Sequence, residues 1–453
     1  MQIAVIGTGY VGLVSGVCFA EYGFRVTCVD KDANKIAHLQ QQIMPIYEPG
    51  LEQLVEANRR AGRLSFSTDL KQAVAEADVV MIAVGTPQND TDAMPDLAAL
   101  EAAVAQVAQA LAKYTVVVIK STVPIGTNAR VTKMIASANP SADFDVVSNP
   151  EFLREGAAIQ DFMTPDRVVI GVDSLRAREV MQRLYAPICV DNIPLLSTSF
   201  ESAEMIKYAS NSLLATKITF VNEIADLCEK TGANIRDVAR GIGMDQRIGD
   251  KFLQPGPGYG GSCFPKDTMA LAAMARTHGT PSRVVEATIA SNDARKIRMA
   301  EKIIAACGGN VSGKTIAILG VTFKPATDDM RESASLTIIP MLQAAGATVR
   351  AYDPQGMEEA KKLLADVAWC PDSISTVQGA DALVVLTEWN EFRNLNLTQI
   401  KSLMKAPVIV DLRNIYKRLD MKRLGFHYVS IGRQDVHPGE PFIADLKIED
   451  EKV

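Results

Sequence analysis

The chain has 453 residues, 47 Lys and Arg against 53 Asp and Glu for a formal net charge of −6, and 47% apolar residues. That length exceeds one hydrophobic core and implies two or three domains of ordinary globular composition, while the negative balance argues against nucleic-acid binding. No apolar run is long enough to span a bilayer and a strand begins at Gln2, leaving no room for a signal peptide, so a cytoplasmic protein with no membrane partner is expected.

In the first half, short β-branched runs at Ile3–Ile6, Val26–Asp30, Asp78–Val84, Thr115–Lys120, Asp145–Ser148 and Arg167–Val172 alternate with helical stretches such as the Ala-rich Leu97–Ala112. This pattern predicts a parallel, helix-covered sheet. Gly7-x-Gly9-x-x-Gly12 sits between the first strand and a helix, the context that makes it a dinucleotide fingerprint. Gly7 would form the turn, Gly9 would admit a pyrophosphate and Gly12 would let helix and strand pack closely. Asp30 ends the second strand where ribose hydroxyls would be accepted, and a carboxylate there favours NAD over NADP.

Ligands of open α/β sheets bind at carboxyl strand ends, where Val84-Gly85-Thr86-Pro87 and Lys120-Ser121-Thr122-Val123-Pro124 fall. Thr122 could hold a reacting oxygen or a water, or simply cap the next turn. In Asn149-Pro150-Glu151-Phe152-Leu153-Arg154-Glu155, Glu151 suits acid–base work, with a solvated surface glutamate as the alternative.

From Leu195 to Thr231 there is no Gly or Pro, and Thr198 with Glu201 reads as a capping box, so one long helix is expected. A helix of about 30 residues commonly joins two lobes or supports a dimer. Lys207 and Asn211 would share one of its faces and could point an ammonium and an amide at one oxyanion, although a helix lysine is often simply solvated. Further on, Gly256, Gly258, Gly260 and Gly261 precede Ser262-Cys263-Phe264-Pro265-Lys266-Asp267. Pro265 suits a first helical turn, which would put Cys263 at a helix N-terminus where thiolate is favoured. A glycine-rich turn holding an inert cysteine is the alternative. Ser282–Cys307 reads as a second long helix.

The alternation resumes with Lys314–Gly320, Ala347–Asp353, Ala382–Thr387 and Val408–Asp411, again with an aspartate, Asp353, after the second strand. The two halves read as divergent copies, but Gly320-Val321-Thr322-Phe323-Lys324-Pro325 lacks the glycine fingerprint, so a ligand other than a dinucleotide pyrophosphate is expected there. Phe323, Lys324, Arg331 and Arg413 at its strand ends, with Arg247 upstream, suit a nucleotide diphosphate, or else are surface charges. The expected class is α/β, with two doubly wound Rossmann-like domains joined by a long central helix. The boundaries are an NAD-binding domain over 1–197, a helical dimerisation region over 198–308 containing the Cys263 loop, a second Rossmann-like domain over 309–435 and a loose polar tail over 436–453.

Seven cysteines (18, 28, 189, 228, 263, 307 and 370) lack CxxC spacing and are expected to be reduced thiols. The histidines (38, 278, 427 and 437) do not pair at ligand spacing, so no metal is expected.

In Gly7–Gly12, Ser121–Pro124, Asn149–Leu153, Lys207 with Asn211, Gly260–Asp267, Phe323-Lys324 and Arg331-Glu332-Ser333 the chain resembles, over essentially its whole length, the UDP-glucose 6-dehydrogenase branch of the UDP-glucose/GDP-mannose dehydrogenase family. The resemblance implies an NAD-binding N-terminal domain, a dimer built by the central helix and a UDP-binding C-terminal domain. It also implies a four-electron oxidation of UDP-glucose to UDP-glucuronate through a thiohemiacetal and a thioester on Cys263. Lys207 and Asn211 would steady oxyanions, and Asp267 with Thr122 and Glu151 would orient water and relay protons. NAD would meet Gly7, Gly9, Tyr10, Val11, Gly12, Asp30 and Lys35, then Thr86, Pro87, Ser121 and Thr122, with Glu155, Lys266 and Arg331. The sugar nucleotide would meet Glu151, Phe152, Leu153, Arg154 and Glu155, Lys207 and Asn211, and the loop residues Phe252, Gln254, Gly258, Tyr259 and Gly260. Phe323, Lys324 and Arg413 would complete the site, with Arg247 reaching the substrate of a neighbouring subunit. Pro325-Ala326 departs from the polar residues of some members. Sister enzymes acting on GDP-mannose or a UDP-N-acetylhexosamine share the mechanism; Cys263-Phe264-Pro265-Lys266-Asp267 favours the UDP-glucose branch. A two-electron dehydrogenase and a silent NAD-binding regulator are the more distant readings.

Overall fold

The structure, a computed structural model, describes residues 1–89, 91–190 and 192–439. It divides into a first unit, Met1–Ser210 with Ala270–Thr280, and a second, Asn211–Met269 with the chain from Pro281 onward.

The first unit is built on eight strands: β1 (Gln2–Ile6), β2 (Arg25–Val29), β3 (Leu64–Ser67), β4 (Val79–Ile82), β5 (Thr115–Ile119), β6 (Phe144–Ser148), β7 (Val168–Gly171) and β8 (Leu195–Thr198). They lie in the order β3-β2-β1-β4-β5-β6-β7-β8. Helices cover both faces, so β4 and β5 are buried at every position and, apart from Thr115, are apolar throughout. Side chains of β1 alternate between two cores, Ile3 and Val5 in one and Ala4 and Ile6 in the other.

Three expectations are corrected here. β7 runs antiparallel to β6, through the pair Ser148↔Gly171, so the sheet is parallel only from β3 to β6 and again between β7 and β8. Residues 149–167, which join β6 to β7, carry only the six-residue helix Ala158–Met163 in place of the full helix of a parallel crossover. Leu195–Thr198 is strand rather than helix, because pairing with β7 (Val168↔Leu195 to Gly171↔Thr198) satisfies its backbone groups. The long helix therefore runs Phe200–Thr231, and its cap is Ser199, whose hydroxyl accepts from the Ser202 N–H at 3.2 Å, not Thr198.

The second unit holds β9 (Thr315–Leu319), β10 (Thr348–Tyr352), β11 (Val367–Trp369), β12 (Ala382–Val385), β13 (Val408–Asp411) and β14 (His427–Ser430), all parallel, in the order β11-β10-β9-β12-β13-β14. This repeats the winding of β1 to β6. Both copies turn sharply after their first strand: Gly7 at φ +100° donates to the Val29 carbonyl, and Gly320 at φ +83° donates to that of Tyr352. One face of the second sheet is covered by Met299, Ala300 and Ile303 of the helix Arg283–Ala306 together with Val221 and Ala225 of the long helix. All seven cysteines are free. Of the expected tail, residues 440–453 lie outside the described residues; Val436 is not loose but pairs antiparallel with Tyr428.

Candidate active site

In the first unit the glycine fingerprint has the close packing at Gly7 and Gly12 that its spacing predicted. A Cβ on Gly7 would meet the Ala83 carbonyl at 2.7 Å, and one on Gly12 would meet the Gly7 carbonyl at 1.9 Å, so turn and helix pack too closely for any side chain. Around Gly9 there is open space at the N-terminus of the helix Tyr10–Glu21, where exposed N–H groups would face a pyrophosphate. Asp30 accepts from the Thr8 N–H (3.0 Å), the Thr8 hydroxyl (2.7 Å) and Lys35 Nζ (3.1 Å). Burial would raise its carboxyl, but the Thr8, Asp32 and Lys35 hydrogen bonds outweigh that and hold it down at about 2. It stays ionised, as an acceptor for ribose hydroxyls must. These residues fit NAD.

Tyr10 is turned to a different task. Its hydroxyl bonds the Glu48 carboxylate, and the Gly156 N–H donates to both, at 3.0 and 2.6 Å, while the Ala158 N–H donates to Glu48 at 2.8 Å. The phenol thus ties the fingerprint helix to Glu48 and to Gly156, just past the Glu151–Glu155 segment. Glu48 gave no sequence signal, since an isolated glutamate before a helix looks like any surface carboxylate. At the other strand ends, Ser121 donates to the Val84 carbonyl (2.7 Å) and Thr86 to that of Thr122 (2.9 Å), so the turns carrying Thr86-Pro87 and Ser121-Thr122 are locked together.

Glu151 and Lys207 are a buried pair. Lys207 Nζ donates to the Glu151 carboxylate at 2.9 Å and to its carbonyl at 2.8 Å, and the Leu153 N–H donates to the same carboxylate at 2.6 Å. Burial pushes the Glu151 carboxyl up, but the Lys207 ammonium, the Leu153 N–H and Lys120 bring it below the usual range. Phe152 is sandwiched by charge, with the Arg167 guanidinium 3.7 Å and Lys207 Nζ 5.5 Å from its ring centre. Arg154 is bidentate to Asp161 (2.9 and 2.6 Å). Glu155 is half-buried on the same segment.

The second unit holds the thiol. Cys263 caps the helix Phe264–Thr277, its carbonyl accepting from the Asp267 N–H at 2.8 Å, and Pro265 lies in the first turn as expected. Asp267 is 1% exposed and is gripped from both sides, by Asn211 Nδ2 at 2.6 Å and Lys266 Nζ at 2.7 Å. The loop before it needs its glycines: a Cβ on Gly261 (φ +83°) would sit 2.7 Å from the Phe323 ring, and one on Gly260 would meet the Glu332 carbonyl at 2.3 Å. Two buried helix asparagines fix this loop, Asn222 accepting from the Gly256 N–H and Asn292 accepting from that of Tyr259, both at 2.8 Å. Sequence reasoning missed both. Around the loop, Phe252 adopts φ +65° with its ring 6.2 Å from Phe264, Gly258 adopts φ +129° and Gln254 is exposed.

Of the candidate diphosphate cations, Arg413 lies against the loop, its Nη1 3.2 Å from a Cβ built on Gly256, and donates to the Leu386 (2.7 Å) and Phe323 (2.8 Å) carbonyls. Lys324 Nζ sits 5.3 Å from the centre of the Phe323 ring. Arg331 spends its guanidinium on Asp329, at 2.8 Å twice, and meets the loop through its carbonyl, which accepts from the Gly261 N–H. Arg247 is likewise bidentate to Asp245 and otherwise exposed. Asp353, the counterpart of Asp30, accepts from Val321, Thr322, Gln355, Gly356 and Trp389, so it is consumed by its own fold.

Two nucleotide-type sheets, one with and one without the glycine cradle, plus a helix-capping cysteine narrow the choice of family sharply, and sequence comparison decides it. Models of the UDP-glucose/GDP-mannose dehydrogenase family match its NAD binding domain at residues 1–189, its central domain at 201–294 and its UDP binding domain at 317–418. The chain belongs to the UDP-glucose/GDP-mannose dehydrogenase family. It is 57% identical over 437 residues to the UDP-glucose 6-dehydrogenase of Rhizobium meliloti (strain 1021), covering 96% of this chain and 100% of that one. It is 47% identical to the UDP-glucose 6-dehydrogenase TuaD of Bacillus subtilis (strain 168), covering 97% and 95%. Among solved structures, a UDP-glucose dehydrogenase of Pyrobaculum islandicum aligns with a TM-score of 0.85 at 36% identity, covering 92% and 95%. Within this family the Gly9 cradle belongs to the NAD binding domain, and the sheet carrying Phe323, Lys324 and Arg413 to the UDP binding domain.

Proposed function

We propose that this chain oxidises the C6 alcohol of UDP-glucose to the carboxylate of UDP-glucuronate, in two two-electron stages linked by a covalent bond to Cys263. The observation that carries the reading is the buried Asp267, one helical turn after Cys263 and bonded at once to an amide and an ammonium. NAD, when bound, supplies the hydride acceptor for each stage. After the first stage the Cys263 sulfur adds to the aldehyde carbon, forming a thiohemiacetal that cannot diffuse away. The second stage leaves a thioester. Water then adds to its carbonyl, the carbon–sulfur bond breaks, and the thiolate and the product carboxylate are released, so one UDP-glucose, one water and two NAD are consumed.

The chain's own groups suit these steps. Lys207 and Asn211 bring N–H donors for the alkoxide and tetrahedral oxyanions. Glu151, held ionised by Lys207, can accept a proton, Asp267 can orient the water, and Thr122 offers a hydroxyl for the proton relay. Lys266 screens Asp267, while Phe323, Lys324, Arg413 and the Gln254–Gly260 loop suit the uridine diphosphate.

A homodimer is part of the proposal. Met205, Leu213, Phe220 and Leu227 are exposed along the long helix at spacings of eight, seven and seven, an apolar stripe suited to a second copy. Arg247, whose side chain is 89% exposed, is available to a neighbouring subunit's substrate. Among the described residues no helix is long and apolar enough to cross a membrane, in keeping with action in the cytoplasm.

The test is a substrate panel with NAD. UDP-glucose should exceed UDP-N-acetylglucosamine and GDP-mannose in kcat/KM by at least on the order of a hundredfold. Preference for either of the others would reassign the chain to a sister enzyme.

A further inference from the structure

Two of the four histidines do meet, contrary to the reading of their spacing. Tyr428 in β14 and Val436 exchange both backbone hydrogen bonds, each 2.9 Å, in an antiparallel bridge. That register puts His437 opposite His427 as a non-hydrogen-bonded pair, the position where cross-strand side chains approach most closely. Asp435, two residues before His437, lies on the same face by the period of a strand. The imidazole centroids are 4.7 Å apart with planes 22° from parallel, and one ligand atom from each of His427, Asp435 and His437 lies within 4.8 Å of the others.

We propose that His427, Asp435 and His437 form a site for a divalent cation of the Zn²⁺ class, which clips the segment after β14 to the edge of the second sheet. Two imidazoles and one carboxylate are a ligand set for a borderline metal, not for Ca²⁺ or Mg²⁺, which require mainly oxygen. With both rings neutral the set carries one negative charge, and water would complete a tetrahedral site. Ligand atoms around such a centre stand about 3.3 Å apart, so the rings must turn out of their stack and the three tips close by roughly an ångström. His437 and Asp435 are exposed and have room to do so.

The backbone beneath is already fixed. Arg433 is buried, donating to the Tyr428 hydroxyl at 2.8 Å and to Asn414 Oδ1 at 3.2 Å, and the Gly432 N–H donates to Glu229 at 2.8 Å. The turn that presents Asp435 and His437 is thus held from inside, which lowers the ordering cost of binding. The site shares no residue with the thiol site and supplies nothing to the oxidation.

The experiment uses untagged full-length protein carrying Cys263→Ser, so that the loop thiol cannot take metal, stripped with chelator and titrated with Zn²⁺ by calorimetry and with Co²⁺ by visible absorption. One equivalent should bind, with the visible bands of nitrogen- and oxygen-ligated tetrahedral Co²⁺, and Zn²⁺ should raise the melting temperature. His437→Ala, at an exposed position that leaves the fold intact, should weaken binding at least about tenfold and abolish the thermal shift, and Asp435→Asn should weaken it. Undiminished uptake in His437→Ala, or no uptake by about 1 mM Zn²⁺ (Kd above the millimolar level), would overturn the proposal.

Discussion

Lys120 carries its charge at a cost that pH can reveal. Fully buried, it donates to Asn149 Oδ1 at 3.2 Å, and burial pushes its ammonium from 10.5 down to about 8, with Glu151 pulling upward and Lys207 downward. Because the folded value lies below the unfolded one, the unfolded chain binds more protons between about pH 8 and 10.5, and stability contributed by this residue rises across that window. Below about 8 the full cost of the buried ammonium remains. Lys120→Met should therefore stabilise the protein at pH 7 by roughly 1–3 kcal/mol, and the gain should shrink as pH rises toward 10. Asn149 keeps a donor in the variant, the Tyr185 hydroxyl at 2.5 Å. Denaturant unfolding at pH 7 and pH 10 checks this; a difference independent of pH would contradict it. Asp30 gives a slope of the same sign in an acidic window. Its lowered carboxyl contributes stability that is present above the ordinary carboxylate range and is lost as pH falls toward 2.

Elements were legible where local pattern and tertiary context agreed. The fingerprint between β1 and its helix, the turn at Pro265 and the absence of breakers from Phe200 to Thr231 each reflect backbone geometry fixed within a few residues. β3 escaped because it is only four residues long, with Leu64 and Phe66 buried in alternation. β8 was misread because Leu195–Thr198 has no helix breaker, and its strand state is set by β7, some 27 residues away. Asn222 and Asn292 were invisible for the same reason: a helix asparagine looks ordinary until the loop amide it receives is known. The apolar stripe of the long helix makes a prediction at this scale. Leu213→Glu with Phe220→Glu should give monomers in sedimentation velocity with helix content unchanged, since a charge on each side would be buried unpaired in a dimer. An unaltered dimer would place the interface elsewhere.

On the scale of the molecule, one winding is used twice with different turns. The first copy opens Gly9 and leaves Asp30 ionised at its strand end, whereas the second carries Thr322 at the position of Gly9 and surrounds Asp353 with its own N–H groups. Such a duplication suits an enzyme that holds two different nucleotides, and the family's NAD binding and UDP binding domains coincide with the two sheets. Fold and family could be read from sequence because glycines, a proline and a cysteine mark close approaches; the ion pairs of Arg154, Arg331 and Arg247 could not, since each is made with a nearby aspartate that sequence does not single out. In the proposed reaction Cys263 links two oxidations of one carbon. The most direct measurement is the NADH formed per UDP-glucose consumed at completion, with the sugar nucleotide limiting. Two NADH, with no aldehyde released, is the predicted result; one NADH per sugar would contradict it.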